Sequence, residues 1–145
     1  MQTFLPYGRD FSRTAHALDY RRLGKQRVET WQILQTLLGN SKGWTNHPAV
    51  RMWEGHEVVL CVYGLVMCYE WKHRGYKDNM APRFRSLITQ VYGNNQNTKY
   101  PEWIDNEAIA ISHQSNLVRK FADHYRKFWP DVPDDLPYVW PVPNK

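Results

Sequence analysis

The chain has 145 residues, 42% of them apolar and 23% charged, which suits one domain able to bury a core without disulfide or metal support and excludes a disordered polyelectrolyte. Nineteen Lys and Arg against fourteen Asp and Glu leave a formal charge of +5, a balance that favours a polyanionic partner over an acid-binding-averse one such as a cationic surface. Residues 1–51 hold eight of the cations and three of the acids, so the first third carries the whole excess, either as a binding face or as a merely solvated one. Seven Trp, nine Tyr and five Phe are too many to bury cheaply, because Trp and Tyr carry polar tips, and an exposed aromatic surface of the kind on which nucleobases stack is expected. No basic-then-apolar leader opens the chain and no apolar run reaches membrane-spanning length, so no membrane partner is expected.

In chain order, a short helix is expected over residues 10–17, capped by Asp10 or Ser12. A longer helix follows over 18–38, where Val28, Trp31, Leu34, Leu37 and Leu38 recur at the spacing of one buried face and Gly39-Asn40 ends the pattern. Gly24 inside it costs about 1 kcal/mol against Ala and marks a break or the close approach of another backbone. After a loop over 39–46, Asn46-His47-Pro48 has the form of a cap and first-turn proline. A long helix over 54–74 draws its core stripe from Val58, Val59, Val62, Leu65, Val66, Tyr69 and Trp71, and Gly75 stops it. Cys61 and Cys68 in this helix lie about 10 Å apart at helical rise, too far for a disulfide, and have the character of small core residues. Residues 86–92 suit a short helix or a strand, and 93–99 a polar loop. A last helix is expected over 105–121, with Ile104, Ala108, Ile111, Leu117 and Phe121 on its apolar side. The tail from Phe128, with five prolines, is expected to lie extended along the body. The fold class is all-α, one compact domain over residues 1–145 with an extended Pro/aromatic C-terminal tail.

Three segments carry candidate chemistry. On a helix Arg21, Lys25 and Glu29 fall at i, i+4 and i+8 along one ridge, flanked by Arg22 and Gln26 and turned away from Val28, Trp31 and Leu34. That arrangement suits phosphate clamping with one carboxylate held among cations, able to stabilise a developing positive charge or accept a proton. The alternative is a solvated salt-bridge ladder worth a few tenths of a kcal/mol per pair. Lys42-Gly43-Trp44-Thr45-Asn46-His47-Pro48, followed by Arg51, places Lys42, His47 and Arg51 round a helix start that attracts anions, or else serves capping alone. Residues 112–120 are polar for a buried helix and suggest either a face that meets a partner or an exposed side. The six histidines (16, 47, 56, 73, 113 and 124) show no metal-ligand spacing, so neither metal nor cofactor is expected. A phosphate-binding glycine loop and a nucleophile elbow are absent, and both cysteines sit in an apolar stripe unsuited to a nucleophile.

Taken together, Leu18-Asp19-Tyr20-Arg21-Arg22-Leu23-Gly24-Lys25-Gln26-Arg27-Val28-Glu29, the run from Gly39 to Pro48, the helix ending Arg74-Gly75-Tyr76 and the closing Asp134-Asp135-Leu136-Pro137-Tyr138-Val139-Trp140-Pro141 resemble the pyrimidine-dimer DNA glycosylase family (phage endonuclease V-like), in a divergent bacterial and phage branch. The resemblance covers roughly residues 3–141. It implies an all-α fold and a two-step reaction without metal or cofactor. The N-terminal α-amine attacks the sugar C1′, the base leaves as a Schiff base forms, and β-elimination nicks the strand, the DNA being kinked with a base turned out of the stack. Carried over by position, His16 matches a histidine near the active site, Arg21 a phosphate-clamping arginine, Lys25 a second basic position and Lys120 a lysine facing the DNA. Trp129 and the other tail aromatics match a segment packed along the DNA. Two departures stand out. The family's glutamate directly follows the matched arginine, where this chain has Arg22, so Glu29 is the candidate replacement and Asp19 the second. Residue 2 is Gln, before which the initiator Met is ordinarily kept, so the attacking amine would be that of Met1.

The catalytic candidates are therefore Met1, His16, Asp19 and Glu29. The DNA-binding candidates are Arg21, Arg22, Lys25, Arg27, Lys42, Asn46, His47, Arg51, Asn116 and Lys120. The expected function is removal of a damaged or modified pyrimidine from double-stranded DNA by a cytoplasmic monomer, either with or without a following lyase step. The rival readings are an inert DNA-binding module on the same scaffold and an RNA-binding protein, the latter suggested by the aromatics and basic charge alone.

Overall fold

The computed structural model describes residues 1–94 and 96–142, and among them it contains seven helices and no strand: α1 (Phe11–Ala17), α2 (Tyr20–Leu37), α3 (Pro48–Arg51), α4 (Glu57–His73), α5 (Ala81–Asn94), α6 (Glu107–Lys120) and α7 (Ala122–Tyr125). The all-α class expected from the patterning is what forms. None of the described helices is long and apolar enough to cross a membrane. The α4 helix is the hub, with α1, α2 and α5 packed round it, which is why its sequence is apolar on more than one side. Trp53, Tyr63, Phe84, Leu23, Ile33, Leu34, Leu60 and Met67 fill the interior. Cys61 and Cys68 are buried free thiols there, and burial pushes both up to about 12.

Local signals set most helix ends. The Asp10 carboxylate accepts from the Arg13 amide at 3.0 Å to open α1, and Gly75, at φ +94°, stops α4. Asn106 opens α6 by accepting from Ala108 N and Ile109 N. His47, rather than Asn46, caps α3, its Nδ1 accepting from Ala49 N. The ambiguous stretch before α6 is a full helix. Asp78 Oδ2 accepts from Met80 N (3.2 Å) and Ala81 N (2.7 Å), so α5 starts ahead of Pro82 and takes in Gly93 and Asn94. Of the polar loop expected over 93–99, residue 95 lies outside the described residues, as do residues 143–145 of the tail.

The helix faces differ from the apolar spacing. Val28 is 44% exposed, whereas Gln26, Arg27 and Thr30 are buried with Leu23, Ile33 and Leu34. Val62 and Tyr69 of α4, Ile111 of α6 and Phe121 at its C-terminal end are also exposed. On α6 the buried residues include Ser112, His113, Ser115 and Asn116. The partner of that polar face is the chain's own tail. Leu136 N donates to Ser115 Oγ (3.0 Å), Val139 N to Ser112 Oγ (3.1 Å), and Asn116 Nδ2 to the Leu136 carbonyl (3.1 Å).

The polar face of α2 has an equally specific partner, the start of the chain. Residues 2–5 are buried between α2, α4 and α6. Phe4 N donates to Gln26 Oε1 (2.9 Å), and Gln26 Nε2 donates to the Gln2 carbonyl (2.9 Å). Leu5 N donates to His113 Nδ1 (2.8 Å), and the Tyr63 hydroxyl donates to the Phe4 carbonyl (2.8 Å). Trp53 Nε1 holds Thr3 Oγ1 at 2.9 Å. A buried backbone without these partners would cost about 1–3 kcal/mol per unsatisfied group, so the side chains that meet it must be polar.

Two helix-interior glycines let aromatic rings approach the backbone closely. A Cβ on Gly24 would stand 2.9 Å from the Trp71 ring, and one on Gly64 would run into the Phe84 ring. The close neighbour of Gly24 is thus an indole of α4, not a backbone. Gly64→Ala is expected to destabilise by roughly 1–3 kcal/mol through overpacking, despite the better helix propensity of Ala, as read by denaturant unfolding. Burial drives the His113 imidazole down to about 3, from 6.5 in the unfolded chain. The unfolded state therefore binds a proton that the folded state refuses. The stability tied to this group is complete above pH 6.5 and falls, by about 1.4 kcal/mol per pH unit, as pH drops from there towards 3. His113→Asn keeps an acceptor for Leu5 N but cannot titrate, and the steepness of acid unfolding over that window should diminish.

Candidate active site

A cleft of about 320 Å³ opens where the first residues cross α2, lined by Met1, Gln2, Phe4, Arg21, Arg22, Lys25, Gln26, Glu29, Lys120 and Tyr138. The α2 helix supplies five of these from one face, α6 supplies Lys120 at its last turn, and the tail supplies Tyr138. Glu29 sits at the inner end, its side chain 13% exposed. Its Oε2 accepts from the Gln2 amide at 3.2 Å, and its Oε1 lies 3.4 Å from Lys25 Nζ. The sequence therefore brings Met1, Glu29, Arg21, Arg22, Lys25 and Lys120 to one place. The carboxylate meets the second backbone nitrogen of the chain, which leaves the terminal amine one residue away.

The electrostatics follow from this crowding. Lys120 is held below its ordinary value by partial burial and then by the charges of Arg22, Arg119 and Lys25, with Glu29 pulling the other way. His47 is lowered first by burial and then by the positive charge of the N-terminal amine. The ring of His47 meets Trp140 edge-on at 5.6 Å, and Trp140 contacts Tyr138 at 5.6 Å, so the loop before α3 joins the cleft wall through aromatic contacts. An anion with a polar, partly apolar body fits such a place: cations for its charge, Phe4 and Tyr138 for its flat surfaces, and one carboxylate for a positive centre formed on it.

Other expected site residues serve elsewhere. Arg27 is buried against Asp78, at 3.0 Å, with its guanidinium over the Trp71 ring, so it is an internal ion pair and not a phosphate contact. Asn116 is spent on the Ser112 and Leu136 carbonyls and on Arg119, fastening the tail. Asp19 is buried outside the cleft wall, accepting from the Tyr125 hydroxyl and paired with Arg22 at 3.2 Å. Burial raises its pKa, but the Tyr125 hydroxyl and Arg22 outweigh that and hold the carboxyl below the usual range. It is ion-paired with Arg22, which lines the cleft. His16 is exposed on α1 and absent from the cleft wall, because Arg74 grips the Ala15, His16 and Leu18 carbonyls and ties that end of α1 to the end of α4. Trp129 is buried against Tyr125 and Tyr7. Lys42, Asn46 and Arg51 do not line the cleft, Lys42 and Asn46 being exposed on the loop before α3. Sequence reasoning missed Gln2, Phe4 and Tyr138 as cleft residues and Gln26 as the group that fixes the first strand of chain. The signal for Gln26 was its place on the face with Leu23, Ile33 and Leu34.

A family model described as pyrimidine dimer DNA glycosylase matches residues 1–83, the part that supplies the first residues, α2 and the loop before α3. Neither the curated proteins nor the solved structures yield a match.

Two arginines six residues apart should separate by role. Arg21→Ala should weaken duplex DNA binding and flatten the slope of log K against log salt by about 0.9, the value of one phosphate contact, with the folding midpoint nearly unmoved. Arg27→Ala leaves the fully buried Asp78 carboxylate unpaired and should cost about 3 kcal/mol of stability, with the salt slope of the surviving folded protein retained.

Proposed function

The chain belongs to the pyrimidine dimer DNA glycosylase family, and from that premise we propose that it excises a damaged or modified pyrimidine from duplex DNA in the cleft at Glu29, using the Met1 α-amine. The observation that carries this reading is the 3.2 Å hydrogen bond from Gln2 N to Glu29 inside a cleft walled by Arg21, Arg22, Lys25 and Lys120. The cations bind the phosphates flanking the target nucleotide, and the nucleotide turns out of the stack so that its sugar reaches the carboxylate.

In the reaction the neutral Met1 nitrogen forms a bond to C1′ while the bond from C1′ to the pyrimidine breaks, the electron pair leaving with the base, which is then protonated. Glu29 offsets the positive charge that builds on the sugar and receives the proton that the attacking amine sheds. Opening of the sugar ring gives an imine, and loss of a C2′ proton then expels the 3′ phosphate by β-elimination. A cytoplasmic monomer acting on double-stranded DNA is the form proposed. Arg22 is held for phosphate by Asp19, and Lys25 is shared between Glu29 and the incoming backbone.

The test is borohydride reduction during reaction with abasic DNA, alongside base release from damaged duplex. A covalent adduct on Met1 supports the amine route. Base release without an adduct assigns attack to water, with Glu29 as its base. DNA binding with neither product would leave an inert binding module. Glu29→Gln retains an acceptor for Gln2 N and is expected to lower base release by about 10²-fold or more, the usual cost of losing an acid–base group.

A further inference from the structure

Trp44 has no part in the cleft, yet nothing about its own loop explains it. It is 59% exposed, the most exposed of the large hydrophobic residues described. Its φ of +67° makes it the one non-glycine residue, among those described, in the left-handed region. That backbone is strained for a bulky side chain and would be relieved by glycine. The loop is nevertheless pinned in shape: Thr36 Oγ1 donates to the Gly43 carbonyl (3.2 Å), Thr45 Oγ1 to the Lys42 carbonyl (2.8 Å), and His47 N to the Trp44 carbonyl (2.9 Å). The result is an indole held out into water on a fixed stem. Strain of this kind persists where the surroundings enforce it, and it marks functional positions.

Its location gives it a use. The indole meets the His47 ring edge-on at 5.5 Å, and the contacts from His47 through Trp140 to Tyr138 lead to the cleft wall. The exposed Lys42 and Asn46 stand two residues before and two residues after it in the chain. An enzyme that turns a nucleotide out of a duplex leaves a gap in the stack, and flat apolar side chains inserted between base steps hold such gaps open. We propose that Trp44 is that wedge: its indole enters the duplex beside the target nucleotide and takes up the vacated stacking surface while Lys42 and Asn46 hold the adjoining phosphates. This rests on the reading that a nucleotide is drawn into the Glu29 cleft.

Binding to a short duplex bearing one tetrahydrofuran abasic analogue, against the same duplex intact and at fixed salt, tests the wedge without needing turnover. The wild-type protein is expected to favour the abasic duplex by about tenfold, within the range of one base–aromatic stacking contact, and Trp44→Phe to keep most of that preference. Trp44→Gly suits the turn's backbone, so its folding midpoint should match or exceed the wild type while the preference shrinks to about twofold or less, the stacking partner being gone. A preference that survives in Trp44→Gly, or none in the wild type, overturns the proposal. Cleavage of damaged duplex, measured in parallel, separates the two ideas. A Trp44-dependent preference with no base release leaves the wedge standing and removes the glycosylase reading, whereas base release with an undiminished preference in Trp44→Gly removes the wedge alone.

Discussion

Residues 2–5 are bound by the rest of the protein much as a peptide ligand would be. Their amides and carbonyls are met by Gln26 from α2, Tyr63 from α4 and His113 from α6, polar side chains buried where that backbone passes, with Tyr63 and Gln26 also in contact with each other. That constraint has consequences in two directions. Inward, it requires buried polar groups in three helices, and it keeps His113 neutral. Outward, it fixes where the first residue lies, because a segment so held delivers it to Glu29 midway along α2.

The cations divide according to the same geometry. Those on the side of α2 facing the chain's start (Arg21, Arg22 and Lys25) join Lys120 in one cleft. Arg27, rotated towards α4, is taken up by Asp78, and Asp78 in turn opens α5 through the Met80 and Ala81 amides. A single carboxylate thus neutralises a buried guanidinium and starts a helix, while Arg21, six residues earlier, stays available to solvent. Charge counting cannot separate these two kinds of arginine, and only their partners do.

Much of the architecture was legible from the sequence because its signals are local. Asp10, Pro48 and Gly75 mark helix ends with groups that act within a few residues, and α1, α2, α4 and α6 fall close to their expected spans. The faces were less legible. Apolar spacing put Val28 inside and Gln26 outside, and the reverse holds, because the surface against α2 is partly a peptide backbone that demands hydrogen bonds. The polar stretch of α6 has the pattern of a partner-facing or exposed surface for the same reason, its partner being a tail some twenty residues further along. The start of α5 was hidden by Pro82 and by a capping carboxylate that only the folded chain positions. Within the site, the cationic ridge and Glu29 were visible in the helical spacing. The exclusion of His16, Asp19 and Asn116 was not, since it depends on Arg74, Tyr125 and the tail carbonyls, none of them neighbours in sequence.

Base excision at this site requires one placement, a sugar–phosphate backbone lying over the cleft with its reactive carbon between the start of the chain and Glu29. A crystal structure of the protein bound to a duplex with a single abasic analogue measures that placement directly. The expected result is the abasic sugar C1′ facing the Met1 nitrogen and the Glu29 carboxylate, with neighbouring phosphates on Arg21, Arg22 and Lys120. A duplex seated on another face, leaving this cleft to solvent, would contradict it.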